Sequence, residues 1–193
     1  MKGSYNMKLK TRNIVLSGAC LALCLLLPFL TGQIPEVGKA LSPMHIPVLL
    51  CGFICGWPYA LVVGLIAPIL RFFLFQMPPI MPTGTAMAFE LATYGAVSGL
   101  LYQKLPKKNY NIYVSLIGAM IAGRLVWGCA QLLLVGVTKT PFTWQAFAAG
   151  AFISVIPGII CHIVLIPVIV LTLKKAGFLE NGIISKNCQK ASA

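Results

Sequence analysis

The chain has 193 residues, of which 59% are hydrophobic and only 9% are charged. A soluble domain carries about a quarter charged residues, so this composition excludes an ordinary soluble core. The formal net charge of +12 raises the question of a nucleic-acid partner. The basic residues, however, lie in short clusters between apolar runs long enough to span lipid, which is how membrane topology is encoded. We therefore predict a polytopic membrane protein in a lipid bilayer, with no nucleic-acid partner.

Six apolar segments predict an all-α membrane protein, a bundle of six transmembrane helices with a short second helix. The predicted helices cover residues 13–30, 46–56, 59–75, 83–103, 110–135 and 144–173. The second, with about eleven residues, is too short to cross a bilayer by itself. The Gly-Trp-Pro sequence at 56–58 predicts a turn after it. We expect a cytoplasmic N-terminal arm (1–12), a six-helix transmembrane substrate-binding domain (13–175) and a cytoplasmic tail (176–193).

Basic residues are concentrated on one side of the predicted bundle. Eleven lie in the N-terminal arm, in the turn after the fourth helix and in the tail, whereas the opposite loops hold only Lys39 and Lys139. Cytoplasmic loops of membrane proteins carry the excess of Lys and Arg. Both termini are therefore predicted to be cytoplasmic, and the loops at 31–45, 76–82 and 136–143 external.

The stretch from 77 to 94 begins as a Pro-rich loop and continues as an apolar helix. Thr83 or Thr85 is predicted to cap this helix, because a hydroxyl there accepts a bond from an unpaired N–H group. About two turns further in, Glu90 has no other charge near it in the sequence. A carboxylate in apolar surroundings needs a partner or a ligand. Glu90, Thr83 and the loop residue Met81 are therefore candidate substrate contacts.

A polar face on the fifth helix is the second part of the candidate site. Arg124, Trp127 and Gln131 follow each other at helical spacing and share one face, directed toward Glu90 and Tyr94. Such a face can hold a small polar molecule: Arg124 takes a carboxylate, Trp127 stacks, and Gln131 and Glu90 contact hydroxyl or amide groups. The alternative is a purely structural ion pair between Arg124 and Glu90 that only orders the bundle.

The remaining ionisable residues divide into candidate contacts and structural groups. Glu36 and His45, in the first external loop, complete the candidate substrate contacts. Arg71 either snorkels to the headgroups or has a function, and His162 is predicted to pack through a hydrogen bond. Seven scattered cysteines form no CxxC pair and favour packing over a metal site. No metal, no cofactor and no catalytic constellation is predicted, so an enzyme is not expected.

The first helix carries a small-xxx-small spacing between Gly18 and Ala22, which allows another helix to approach closely. Ordinary packing within the bundle is the alternative. This spacing, the six-helix layout, and the sequences SPMHIPVLLCGFICGWPYALVVGLIAP and MPPIMPTGTAMAFELATYG carry a resemblance. Over residues 10–178 the chain resembles the substrate-binding S components of energy-coupling factor (ECF) transporters.

The resemblance implies a function in nutrient uptake across a bacterial-type plasma membrane. An S component binds one vitamin or trace nutrient from outside, under the loops after its first, third and fifth helices. It docks on a transmembrane scaffold subunit that two ATPase subunits drive, and it topples in the membrane to release its substrate. A comparable small-residue spacing contacts the coupling module in that family, which implies docking at Gly18 and Ala22. This chain has no GxxxxGK[ST] motif, so ATP hydrolysis is expected only in the partner subunits.

The sequence is compatible with several hypotheses about the substrate and the class of protein. Pantothenate is the first candidate, because its carboxylate, hydroxyl and amide groups suit an Arg, Gln, Glu and Trp pocket. A vitamin of the B6 or niacin type would suit Trp127 and Tyr94 as well. A stand-alone secondary carrier or channel is the rival from another class, although the predicted inner halves of the helices show little polarity. A structural assembly subunit is the third alternative.

Overall fold

The protein is an all-helical bundle. The structure is a computed structural model that describes residues 2–30, 42–76, 79–106, 108–138 and 156–176. Over these ranges it contains helices and turns and no β-strand, so the predicted all-α class is confirmed. The described helices are α1 (Lys2–Leu30), α2 (His45–Ile54), α3 (Trp57–Phe75), α4 (Thr85–Lys104), α5 (Tyr110–Thr138) and α6 (Ile156–Lys175).

Four of these helices contain segments that are long and apolar enough to cross a membrane. The segments are Lys10–Phe29, Trp57–Phe75, Tyr110–Leu134 and Gly158–Lys175. Large apolar side chains are exposed along all four, as lipid contact requires. Helix α2 is apolar but has only 10 residues, in agreement with the predicted short second helix. The chain is therefore a membrane protein.

Helix α4 occupies the centre of the bundle and packs against α2, α3 and α5. Its contact with α3 is a backbone approach: a Cβ added at Gly95 would lie 2.5 Å from the carbonyl oxygen of Ala60. One turn higher on α3, a Cβ added at Gly64 would lie 2.5 Å from the carbonyl oxygen of Leu91. Small residues allow such close packing in lipid, where no hydrophobic force drives helices together. These two contacts also fix the antiparallel register of α3 and α4.

Helix α2 accompanies only part of α1. The Asn13 amide donates to the Cys55 carbonyl at 3.5 Å, and the Cys24 thiol donates to the Met44 carbonyl at 3.6 Å. We call the end of the bundle where the rings of Phe29 and Phe75 meet, with centroids 4.8 Å apart, the upper end. Helix α2 thus begins below the upper end and runs downward, and its first residue lies deep in the protein.

The turn predicted at 56–58 is shorter than expected. The chain reverses over Cys55 and Gly56, and Gly56 has a φ of 93°, a left-handed value that glycine adopts without steric cost. Trp57 and Pro58 already belong to the first turn of α3, where proline loses no hydrogen bond. The prediction that all three residues form the turn is therefore wrong.

The predicted threonine cap of α4 is also wrong. The N-cap position is occupied by Gly84, which has no side chain and has helical angles (φ −64°, ψ −40°). A wide turn over Ile80–Gly84 leads directly into α4, and the Gly84 N–H donates to the Pro79 carbonyl at 2.9 Å. Because the chain is already helical when it reaches Thr85, neither Thr83 nor Thr85 is the cap.

Other boundaries differ at the ends of the helices. Helix α1 begins at Lys2 rather than at residue 13, and α5 continues to Thr138 rather than ending at residue 135. His45, predicted to lie in an external loop, is the first residue of α2. The predicted start of the last helix, at 144–155, and most of the predicted first external loop lie outside the described residues.

Candidate functional site

Four side chains from three helices meet at one carboxylate oxygen in the interior. The Tyr94 hydroxyl donates to Glu90 Oε1 at 3.0 Å, and Arg124 Nη1 of α5 lies 3.3 Å from the same oxygen. His45 Nε2, at the start of α2, lies 3.6 Å from it. Glu90 is only 2% exposed. We call Glu90, Tyr94, Arg124 and His45 the carboxylate cluster.

The sequence assembles this cluster by helical spacing and by one close helix contact. Glu90 and Tyr94 are four residues apart on α4 and therefore share a face. On α5, a Cβ added at Gly123 would lie 2.5 Å from the Tyr94 ring, so the ring rests directly on the α5 backbone. This register places Arg124 beside Tyr94, about one turn below Glu90, and the long arginine side chain closes the remaining distance.

The Glu90–Arg124 pair makes the buried carboxylate tolerable. An isolated charge in such an apolar interior is costly, and an opposite charge with further hydrogen bonds offsets that cost. The Arg124 side chain is 17% exposed, and its Cζ lies 5.9 Å from the centroid of the Trp127 ring, within cation–π range. The pair carries no net charge, and the aromatic ring covers one side of the cation.

Two polar atoms on the same face of α5 are buried without a hydrogen-bond partner. They are Arg124 Nε, a donor, and Gln131 Oε1, an acceptor, and neither has a partner among the described residues. They belong to residues seven positions apart, which is about 10 Å along the helix toward the upper end. A buried polar group without a partner costs about 1–3 kcal/mol, so two on one face indicate a place where a polar molecule binds.

His45 connects the carboxylate cluster to α6. Its Nδ1 lies 3.1 Å from the Ser42 carbonyl oxygen and must carry a proton to donate there. Its ring packs edge-on against Tyr94, with centroids 5.1 Å apart, and stacks on His162 at 5.8 Å. The contact of Nε2 with Glu90 is favourable only when that nitrogen or the carboxyl group holds a proton. At 3.6 Å from Glu90 Oε1, Nε2 makes no hydrogen bond to it, and it has no hydrogen-bond partner among the described residues.

His162 is a member of this region that the sequence did not place there. The sequence predicts only that it packs through a hydrogen bond, and the structure shows it 3% exposed and stacked on His45. The signal was present, because an ionisable residue in an apolar helix is a functional candidate by default, as Glu90 was. What the sequence lacked was the packing of α6 against α2, which brings the two imidazoles together.

The remaining candidates lie away from the carboxylate cluster or outside the described residues. Met81 is 48% exposed and Thr83 half-buried, both in the turn that precedes α4, more than one helical turn above Glu90. Glu36 falls in the part of the chain that the structure does not describe. Gly18 and Ala22 lie on the exposed side of α1, and a Cβ added at Gly18 meets no atom within 4 Å. Another helix could therefore approach α1 there.

The described residues offer no group of three or more His, Cys, Asp or Glu side chains arranged for a metal ion. The cysteines of α1 and α2 (Cys20, Cys24, Cys51 and Cys55) are buried in the hydrophobic core. The polar side chains of the candidate site are those of Arg, Gln, His, Tyr and Glu, which bind organic molecules by hydrogen bonds and charge.

The chain was also compared with known proteins. A family model described as "ECF transporter, substrate-specific component" matches residues 12–178. The matched range contains the whole carboxylate cluster and all of α2 to α6. Neither the curated proteins nor the solved structures gave a match.

Proposed function

We propose that this chain, which belongs to the family of substrate-specific components of ECF transporters, captures a vitamin or related small nutrient from outside the cell with high affinity. The observation that carries the proposal is the pair of unpartnered buried atoms, Arg124 Nε and Gln131 Oε1, beside the carboxylate cluster. A polar ligand between them would satisfy both groups and stack on Trp127. A structural ion pair between Glu90 and Arg124 would not explain why Gln131 Oε1 is buried without a hydrogen-bond partner among the described residues.

Pantothenate is the first substrate that we propose. Its hydroxyl and amide groups can donate to Gln131 Oε1 and accept from Arg124 Nε, while Glu90 holds the arginine in place. A vitamin of the B6 or niacin type is the alternative, because its ring would suit the aromatic side chains of Trp127 and Tyr94. Met81, Thr83 and Glu36 are proposed to contact the substrate from the upper end.

The topology and partners follow from the charge pattern and the family. We propose that both termini are cytoplasmic in a bacterial-type plasma membrane and that the upper end faces outward, because the basic clusters lie at the lower end and in the tail. Gly18 and Ala22 are proposed to contact the scaffold subunit, which two ATPase subunits drive. The chain itself is proposed to be no enzyme. The divisions at 1–12, 13–175 and 176–193 remain part of this proposal.

The test is ligand binding by the purified chain. Small molecules that co-purify in detergent are identified by mass spectrometry, and a vitamin panel is titrated by tryptophan fluorescence. One compound should bind in the nanomolar range, and Gln131→Ala should weaken its binding at least about tenfold. Gln103→Ala, which removes an exposed amide at the lower end of α4, is the matched control and should bind normally.

The alternative function, a stand-alone carrier, predicts the opposite result. A stand-alone carrier would bind no vitamin tightly, yet the reconstituted chain alone would move a solute along its gradient. That result would replace the proposed function. Binding by Gln131→Ala equal to that of wild type would instead remove the α5 face from the site.

A further inference from the structure

Arg71 is a cation in the membrane part of the protein that has no counter-charge among the described residues. It lies in α3, inside the apolar segment Trp57–Phe75, and it is half-buried. Its Nε is buried and has no hydrogen-bond partner in the part of the chain that the structure describes. Glu90 is the one acidic residue that the structure describes, and it pairs with Arg124. An arginine in a membrane-spanning segment, with no counter-charge beside it among the described residues, is expected to bind an anion.

The register of α3 and α4 shows where Arg71 lies. Ala60 opposes Gly95 and Gly64 opposes Leu91, so moving four residues up α3 corresponds to moving four residues back along α4. Arg71 is seven residues above Gly64 on the same face and therefore opposes the start of α4, near Gly84. This position is about 10 Å above the level of Glu90.

Helix α2 does not reach this level. Its first residue, His45, already contacts Glu90, and the helix runs downward from there. Below the level of His45, α2 packs against α1, α3 and α4. Above His45, the α3 face that carries Arg71 no longer has α2 beside it. Arg71 thus lies in the layer where a molecule that enters from the upper end would lie above the carboxylate cluster.

The charges decide which arginine suits an anionic ligand. An anion beside Arg124 would also lie beside Glu90, and two negative charges at such a distance repel each other strongly in an apolar interior. Arg71 offers a guanidinium fork with no carboxylate next to it among the described residues. The neutral Glu90–Arg124 pair suits uncharged polar groups better.

We infer that Arg71 binds the anionic group of the ligand, a carboxylate or phosphate, while Arg124 and Gln131 bind its uncharged polar end. This inference rests on the proposed function and reassigns the carboxylate that the sequence had given to Arg124. The ligand is then an elongated molecule whose anion lies at the level of Arg71, and whose neutral hydroxyl or amide groups extend downward past Gln131 toward Arg124. Arginine is the suitable residue because its planar fork matches both anions.

The experiment measures the binding of matched acid and neutral compounds by the full-length chain in detergent. The probes are pantothenate with panthenol and pyridoxal 5′-phosphate with pyridoxal, since both acids carry an anion and a separate hydroxyl group. The wild type should prefer the acid in the pair that it binds. Arg71→Gln should reduce this acid-to-neutral preference at least about tenfold while leaving the neutral compound's affinity unchanged. Arg71→Lys should restore part of the preference, because it restores the charge without the fork.

A control and the contrary outcomes complete the design. Arg12→Gln removes the same side chain at the lower end of α1 and should leave the preference intact. An unchanged preference in Arg71→Gln would overturn the inference and indicate that Arg71 holds a lipid headgroup phosphate. An equal loss for both compounds, reproduced by Glu36→Gln, would overturn it in favour of a pairing with that loop. Tight binding of only the neutral compound would overturn the inference while sustaining the proposed function.

Discussion

The contact between Gly123 and Tyr94 gives a quantitative test of how the carboxylate cluster is held together. In Gly123→Ala the added methyl group would lie 2.5 Å from Tyr94 Cε1 and 2.6 Å from its Cδ1. Carbon atoms pack at about 3.5–4.0 Å, so the ring must retreat by about 1 Å. The Tyr94–Glu90 hydrogen bond, now 3.0 Å long, would then be too long to persist.

The expected destabilisation has three parts. Overpacking in a tight interior costs about 1–3 kcal/mol. The lost hydrogen bond adds about 0.6–1.7 kcal/mol, the range typical of membrane proteins. Replacing glycine by alanine inside a helix returns about 0.5–1 kcal/mol. The steric part therefore decides the sign, and the free energy of unfolding should fall by about 1–4 kcal/mol.

Thermal unfolding in detergent, followed by tryptophan fluorescence, measures this effect. The Tm of Gly123→Ala should fall by at least about 3 °C. The matched control is Gly136→Ala on the same helix, where a Cβ would meet no atom of the described residues within 4 Å. Its Tm should stay the same or rise slightly. Equal melting of the two variants would refute the packing of Tyr94 against the α5 backbone.

A double-mutant cycle separates the steric part from the hydrogen bond. Tyr94→Phe keeps the ring and removes the hydroxyl. In that background Gly123→Ala should still destabilise the protein, but by about 0.6–1.7 kcal/mol less than in the wild type. A coupling energy of zero would mean that the hydroxyl keeps its bond to Glu90 when the ring moves.

Three further substitutions test the charge pair, the helix contact and the docking surface. Glu90→Gln leaves the buried Arg124 without a counter-charge and should lower stability by about 3–5 kcal/mol, whereas adding Arg124→Gln should recover part of the loss. Gly95→Ala places a methyl group 2.5 Å from the Ala60 carbonyl oxygen. It should lower the Tm more than Gly123→Ala does, because the helix backbone cannot move away from the methyl group as a side chain can. Gly18→Leu should leave the Tm unchanged but weaken co-purification with the scaffold and ATPase subunits.

Each of these expectations has a clear contrary result. If the double variant at 90 and 124 melts below Glu90→Gln, the two side chains do not act as a pair. A Gly95→Ala protein that melts like wild type would contradict the backbone contact between α3 and α4. Unchanged co-purification of Gly18→Leu would move the proposed docking surface away from that side of α1.

The sequence predicted the fold well where one-dimensional patterns are sufficient. The short apolar run at 46–56 identified α2, because length alone decides whether a segment spans lipid. The spacing of Arg124, Trp127 and Gln131 identified the polar face of α5. The cap of α4 was predicted wrongly, because a threonine next to a helix start is a favourable cap only when the preceding chain is not already helical. The wide turn over Ile80–Gly84 removes that condition.

The contacts between helices that are distant along the chain could not be predicted from the sequence. His45 and His162 are far apart along the chain, and nothing in either segment indicates that α2 and α6 stack their imidazoles. Arg71 was recognised as either a surface or a functional residue, but its place above Glu90 depends on the register that Gly64 and Gly95 impose. Such registers arise from glycine-to-backbone contacts, which only the packed structure specifies.

The α3–α4 contact has a mechanical consequence. Backbone approaches at Trp57–Gly99, Ala60–Gly95 and Gly64–Leu91 join the two helices along their lower half. Above them the same face carries Arg71, whose long side chain does not allow a backbone approach of this kind. The backbone approaches that hold the two helices together therefore lie in their lower half, below the level of Arg71. Under the proposed function, a ligand that binds near Arg71 would enter and leave at the upper end without disturbing these lower contacts.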